Sequence, residues 1–413
     1  MLELGGSLAV MILNLIHRSL RQHALSTLVT AGGIALAAGL LLTVWVVKTQ
    51  AQAVFASTNS GFDAVLGARG SKLQLVLNSI FHLESSPGNI KAEDLEMLRR
   101  NPMLGGAIKA AIPIAVGDSY RGWRIVGTTE QLFGEIEYAP GKKYAFKGKG
   151  RNFKIGEDEA VAGSYAAQKL GWRVGSKFHP EHGVSGGQHD HDEEFTVVGI
   201  LEPTNTPVDR VIWIPLEGLQ TMSGHNPMAA TEISAVLIQL KAPTAGLMMS
   251  NMLNASGGKL TFAYPIGSIV AELFNKISWV DKVLALVAWL VALVAAGSVL
   301  VGIYNSMSAR ARDIAILRAL GAHRRTVFGA VVGEAAAIGL LGAAAGLAVF
   351  AVLAGIVAGI VRAQTGVALD PWQWNPVFAW APALLVGLAV LGGFAPAVKA
   401  YRVPVAETIA PLS

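Results

Sequence analysis

Leu25 to Val47 reads LSTLVTAGGIALAAGLLLTVWVV, 23 residues without a charge. As a helix rising 1.5 Å per residue it would extend about 35 Å, enough to cross a hydrocarbon layer of about 30 Å. A cleaved leader is the competing reading, but its apolar region is usually about 7–15 residues long and ends in small residues. Here Lys48 and Gln50 follow instead. The stretch is read as a first membrane helix. A second uncharged run, VLALVAWLVALVAAGSVLVGIYNSM, covers Val283 to Met307. A third runs from Thr326 to Val361 with Glu334 as its one charge, and a fourth from Val377 to Val398. The third is longer than one crossing requires, so it is either one tilted or extended helix or a hairpin hinged at Gly342 to Gly346.

Composition agrees with a mixed protein. With 413 residues, 52% hydrophobic and 15% charged, and a mean hydropathy of +0.47, the chain is too apolar for an ordinary soluble enzyme and too charged to lie wholly in a membrane. The absence of cysteine removes disulfides, thiolate nucleophiles and cysteine zinc sites, leaving histidine and carboxylate as the strong metal ligands. The net charge of +5 is small for this length, and outside residues 48–281 the basic residues gather at the ends of the apolar runs. Membrane lipid, not nucleic acid, is therefore the expected polyanion.

That placement sets the topology. Arg310, Arg312, Arg318, Arg324 and Arg325 lie between the second and third runs, Arg18 and Arg21 precede the first, and Lys399 and Arg402 follow the fourth. By the positive-inside rule all three flanks are cytoplasmic, which four crossings satisfy and five do not. The expected layout is a cytoplasmic amphipathic segment (1–24), a first crossing (25–47), an external domain with its stalk (48–281) and a second crossing (282–307). A cytoplasmic coupling loop (308–325), a third crossing (326–361), an external link (362–376), a fourth crossing (377–398) and a cytoplasmic tail (399–413) complete it. Trp372 and Trp374 in the link suit interfacial depth.

Residues 48–281 are enough for one or two globular domains. AIKAAIPIAVGDSYRGWRIVGTT, EFTVVGIL, RVIWIPL and ISAVLIQL carry β-branched or alternating apolar residues between turn formers, which predicts strands. KAEDLEMLRRN and AVAGSYAAQKLG carry helical spacing, the second stopped by Gly171. SIVAELFNKISWVD, Ser268 to Asp281, reads as an amphipathic helix feeding directly into the second crossing. The fold class is a membrane protein of four transmembrane helices with a large α+β extracytoplasmic domain inserted between helices 1 and 2.

The cytoplasmic stretch SARARDIAILRALGAHRRTVFGAVVGEAAAIGLLGAAAGL resembles a known pattern: a charged run, IAILRALGA, a basic turn, then a helix with a Glu followed by small residues. In the external domain GRNFKIGEDEAVAGSYAAQKLGWRVGSKF and EEFTVVGILEPTNTPVDRVIWIPLEGL follow a second pattern in order. The ends, NLIHRSLRQHALSTLVTAGGIALAAGL and APAVKAYRVPVAETI, match as well. Together they resemble the MacB/FtsX type of ABC transporter permease over most of the chain. That resemblance implies a homodimer in the bacterial inner membrane with its large domain in the periplasm. It also implies two copies of a cytoplasmic ATPase holding ATP and Mg²⁺, and a periplasmic adaptor or substrate protein.

The residues themselves support a subunit without a motor of its own. No G-x-x-x-x-G-K-[ST] occurs; GARGSKL and SGGKL lack its spacing and its hydroxyl. The chain is expected to be non-catalytic. The loop residues Arg310, Arg312, Asp313, Ile314, Leu317, Arg318, Leu320 and Gly321, with Ile316 on the same repeat, could lay a face on an ATPase; the competing reading gives the arginines only topology and lipid contact. Glu334, two turns into a membrane helix, must face protein or water, and an inter-helix or subunit contact is preferred over a proton relay.

One stretch stands apart from that reading. HPEHGVSGGQHDHDEEF, His179 to Phe195, is an apparent insertion in the external domain. Its HxxH (His179, His182) and HxH (His189, His191), helped by Asp190 and Asp192, could chelate Zn²⁺ or another divalent transition metal. Such an ion should be lost as imidazoles protonate toward about pH 5. His82 and His225 are possible additional ligands; the competing reading is a solvated polar loop, with those two as ordinary surface histidines. No H-E-x-x-H is present, which argues against a zinc hydrolase. Three functions follow from these readings. One is a permease doing conformational work on an envelope substrate, or mechanotransmission. The second is an FtsX-like unit activating an external enzyme, and the third a metal-linked transport or sensing component.

Overall fold

The computed structural model describes residues 13–58, 60–183, 191–225, 230–255, 258–309, 311–319 and 322–401. They form two compact units: Met1–Gln50 with Ser278–Ala358 and Asp370–Ser413, and Ala51–Ile277 with Gly359–Leu369.

The first unit is helical. Ala24–Ser57, Ser278–Ala309, Arg324–Thr365 and Val377–Tyr401 are 34, 32, 42 and 25 residues long, and each is long and apolar enough to cross a membrane. The third helix is unbroken. At 42 residues it runs about 63 Å, roughly twice the hydrocarbon thickness. Its glycines serve contact, not bending: a Cβ on Gly342 would stand 2.6 Å from Ile34 Cβ, and one on Gly346 2.4 Å from Ala38 Cβ. This is the small-xxx-small seam by which membrane helices approach each other closely. Gly393 and Ala335 repeat it between the fourth and third helices.

The second unit is built on strands β1 (Ala64–Ala68), β2 (Ile90–Lys91), β3 (Ile108–Tyr120), β4 (Trp123–Thr128), β5 (Glu137–Ala139), β6 (Lys142–Lys143) and β7 (Glu159–Ala162). The remainder are β8 (Lys177–Phe178), β9 (Glu181–His182), β10 (Phe195–Ile200), β11 (Ile212–Pro215), β12 (Glu232–Ile233), β13 (Ala235–Leu240) and β14 (Leu260–Ala263). Ten of them form a mixed sheet in the order β14-β1-β13-β3-β4-β11-β7-β10-β8, with β9 joined to β3, and β2/β12 and β5/β6 form two-stranded sheets. Only β4/β11 and β7/β10 run parallel. β3 is buried on both faces, as a central strand between two packed layers should be. Ile112 and Ile114 enter one cluster with Phe81, Phe153 and Trp213, and Ala111 and Ala115 face the opposite side.

Two expected elements differ. AVAGSYAAQKLG is not one helix: Glu159–Ala162 is strand β7, and the helix is Ser164–Leu170. The alanines that satisfy helical spacing also suit a buried strand, and Gly163 passes so close to the Asp209 carbonyl that a Cβ would stand 2.4 Å from its oxygen. Gly171 does end the helix, at φ 68°, where a side chain would be strained. SIVAELFNKISWVD is likewise two helices, Ile266–Lys276 and Ser278–Ala309, separated at Ile277.

β3 has two partners along one edge. Its first half pairs with β13 as far as Ile114, and its second half pairs with β9 at Asp118↔His182 and Ser119↔Glu181. On the other edge the register with β4 slips between Val116 and Ser119. Such a bulge re-aims the side chains within it, and Asp118 is among them.

Candidate metal centre

Among the described residues, Asp118, His182, His191 and His225 bring one donor atom each to within 4.8 Å of one another. Each comes from a different place. Asp118 lies in the β3 bulge, and His182 is its ladder partner on β9. His191 precedes β10, with its N–H bonded to Pro180 O at 2.8 Å. His225 follows the helix Leu216–Gln220, with its N–H on Met222 O at 3.2 Å.

The centre is organised around one carboxylate, whose Oδ2 also stands 3.3 Å from His225 Nε2. Asp118 Oδ1 stands 3.5 Å from His182 Nδ1, 3.4 Å from His191 Nε2 and 3.4 Å from His225 Nε2. The carboxylate is fully buried, and its Oδ2 accepts no hydrogen bond among the described residues. An isolated buried charge of this kind is costly unless it is paired or metal-bound.

Tautomers follow from the second ring nitrogens. His191 Nδ1 lies 2.6 Å from Ser223 O and His225 Nδ1 2.9 Å from Leu219 O. A carbonyl oxygen only accepts, so each Nδ1 carries the hydrogen and donates. In the neutral rings both Nε2 lone pairs then point at the Asp118 carboxylate, acceptor against acceptor.

An outer layer holds this arrangement. The Ser223 N–H donates to Glu193 Oε1 at 2.7 Å and its hydroxyl to Glu193 Oε2 at 2.8 Å. Burial acts to raise the Glu193 carboxyl, but these two bonds outweigh it and hold its pKa below the ordinary value. Beside the centre is a cavity of about 320 Å³ whose walls include His182 and His225 with Asn89, Gln220, Glu232 and Ser234.

The HxxH and HxH pairs are therefore divided. His182 and His191 enter the centre. His179 does not: its ring lies 3.8 Å from Glu194, which is bonded to Lys177 at 2.6 Å. Asp192 contributes its backbone N–H to Ser223 Oγ and no carboxylate. His189 and Asp190 lie outside the described residues. His225, a possible additional ligand in the sequence, is a full member of the cluster and His82 is not, and Asp118 was not among the expected ligands. Its signal was a lone carboxylate in the otherwise buried strand IPIAVGDSY, where Asp is seldom found unpaired.

The other expected residues lie in the helical unit. Between the second and third membrane helices is the short helix Ala311–Ala319. In it Ile314 and Ala315 are buried against the unit's own core, while Ile316 is exposed and Arg318 half-buried. Arg310, Leu320 and Gly321 lie outside the described residues, as do the side chains of Arg312, Asp313 and Leu317. Glu334 is buried and accepts a hydrogen bond from Ser19 Oγ. It lines a cavity of about 10 Å³ with His23, Ser26, Thr27 and Thr30.

Comparison with known proteins extends over both units. Residues 24–248, more than half of the chain, match the MacB-like periplasmic core domain, and residues 285–405 match the FtsX-like permease C-terminal region. Two uncharacterized ABC transporter permeases of Mycobacterium tuberculosis, from strains CDC 1551 and H37Rv, are 26% identical over 237 residues, 57% of this chain. The match spans 58% of the length of these relatives. With both family regions present in order, the chain belongs to the MacB/FtsX-type ABC transporter permeases.

Proposed function

We propose that this chain is the membrane-spanning subunit of an ABC transporter that pairs with a separate cytoplasmic ATPase and turns its cycle into conformational work by the external domain on an envelope substrate. The observation that carries this reading is a chain with a MacB-like periplasmic core match followed by an FtsX-like permease match, and no phosphate-binding loop in its 413 residues. A homodimer with two ATPase copies is the assembly that goes with it.

The helix Ala311–Ala319 is the docking element. Burial of Ile314 and Ala315 fixes the helix to its own unit, which leaves Ile316, among the described side chains, as the large apolar one offered outward. A rigidly seated helix with one projecting apolar residue can pass a push from a partner into the helices that hold it. The membrane helices offer few polar groups beyond the Ser19–Glu334 pair, which supports work at the outer face over a hydrophilic path through the bilayer.

Co-purification with the cognate ATPase, and ATP turnover of the complex in lipid, test this. Ile316→Asp is expected to lower ATPase retention and stimulated turnover at least about ten-fold while the protein remains folded. Unchanged retention and turnover would remove the docking role.

A further inference from the structure

We infer that Asp118, His182, His191 and His225 form an exchangeable, non-catalytic transition-metal site, with His182 as the ligand that opens. This rests on the external unit alone and is independent of the ATPase pairing.

Distances carry the first step. A charge-assisted N–H···O bond is about 2.7–2.9 Å long, so the 3.4 and 3.5 Å separations around Asp118 Oδ1 are too long for three such bonds. Two donors each about 2.0–2.1 Å from a tetrahedral ion stand about 3.3 Å apart. Asp118 Oδ1 thus occupies one corner of a tetrahedron whose other corners are the three imidazole nitrogens. The imidazoles need only draw in from their present spread of up to 4.8 Å.

Proton positions carry the second. Neutral His191 and His225 offer Nε2 lone pairs because their Nδ1 hydrogens are committed to Ser223 O and Leu219 O. A ligand histidine fixed by a backbone carbonyl on its other nitrogen is the usual outer-shell arrangement of a metal site. A cation at the centre converts the opposition of lone pairs and carboxylate into four bonds.

Donor type selects the ion. Three imidazoles and one carboxylate suit Zn²⁺, Cu²⁺ or Ni²⁺, whereas Ca²⁺ and Mg²⁺ require oxygen cages. Four protein donors fill a tetrahedron, leaving no position for the water that a hydrolytic zinc keeps. Burial is uneven: the Asp118, His191 and His225 side chains are 0, 4 and 17% exposed, and that of His182 is 59% exposed. Three donors are held inside, and the fourth swings at the surface on a two-residue strand.

The test uses the full-length protein in detergent, stripped with a chelator and reloaded with Zn²⁺ alone. Wild type is expected to retain one ion per chain, and Co²⁺ in its place to give the strong visible bands of a four-coordinate site. His191→Ala and His225→Ala should weaken binding by more than the roughly 10–100-fold that loss of an outer partner costs. Glu193→Gln should fall within that range. His182→Ala should release Zn²⁺ to a chelator at least about ten-fold faster than wild type, and His179→Ala and Asp192→Ala should behave as wild type. If an alanine variant fails to fold, Asp118→Asn, which keeps shape and removes the charged donor, is expected to lose Zn²⁺ with its circular dichroism intact. Wild type that retains no Zn²⁺, folded Asp118→Asn that retains it fully, loss on His179→Ala, or unchanged release from His182→Ala would overturn the site as drawn.

Discussion

In the external unit the fully buried large side chains are Trp213, Phe62, Phe81, Phe153, Phe195 and Phe262. In the helical unit Phe350, Ile34 and Leu42 are the largest, and most of the buried interior is alanine: Ala37, Ala38, Ala292, Ala335, Ala354 and Ala397. Leu28, Leu36, Leu290, Leu293, Leu340 and Leu391 point outward instead. The difference follows from solvent. Water drives large apolar groups inward, at about 25 cal/mol per Å² removed from contact with it. Lipid offers no such drive, and helices associate there through close van der Waals contact of small residues. The same amino acids therefore take opposite places in the two units.

The largest effect should come from Trp213→Ala. The indole contacts Phe133 at 5.9 Å between ring centres and donates to Val208 O at 3.3 Å, so truncation is expected to cost about 3–5 kcal/mol. Hydrogen exchange read segment by segment should lose protection in β4, β7 and β11 and keep it in the four long helices. Equal loss in the helices would break the comparison, because the two units would then unfold as one.

Next comes Gly346→Ala, where the added methyl meets Ala38 Cβ at 2.4 Å. Separating the seam is expected to cost about 1–3 kcal/mol, with faster exchange near Ala31 to Gly39 and none in the sheet. In a water-driven core an extra methyl can be gained surface; here it should only be a wedge. A stabilising effect would show that the seam is loose.

His82 sharpens the contrast by pH. Burial, aided by the Arg124 and Arg210 cations, holds its pKa down to about 3. The unfolded imidazole takes its proton near the ordinary 6.5 while the native one stays neutral. Stability should be complete above about pH 6.5 and fall by up to about 1.4 kcal/mol per pH unit below it, toward pH 3. His82→Asn, a residue that tolerates the local φ of 54°, should flatten this slope in the external unit, as chemical denaturation at several pH values would measure. An unchanged slope would place the acid sensitivity elsewhere.

How much of this was legible depended on whether the signal was local. An uncharged run such as Leu25 to Val47 declares a membrane helix by itself, but it does not give the helix's end, because a charge ends an apolar run without ending a helix. Ala24–Ser57 continues through Lys48, which bonds Asp281 at 3.1 Å. The ambiguity of the third run, helix or hairpin, hid in Gly342 and Gly346, whose meaning is a neighbour's backbone and not a turn. In the metal centre the histidine spacing located His182 and His191. His225 and Asp118 come from elsewhere in the chain, Asp118 by the bulge in β3 and His225 by the turn after the helix Leu216–Gln220. Hence the expected partners His179 and Asp192, adjacent in sequence, gave way to residues adjacent in space.

The divided edge of β3 also has a consequence in time. β3 and β4 are joined by a tight turn at Arg121 and Gly122 and can zip locally. β9 must close a loop of 64 residues to gain two ladder positions, a poor return on the closure entropy, whereas β13 gains six positions on β3. β9 would therefore be the first strand to detach on mild destabilisation, parting His182 from Asp118. A metal ion held across Asp118 and His182, if the proposed site takes one, would delay that detachment.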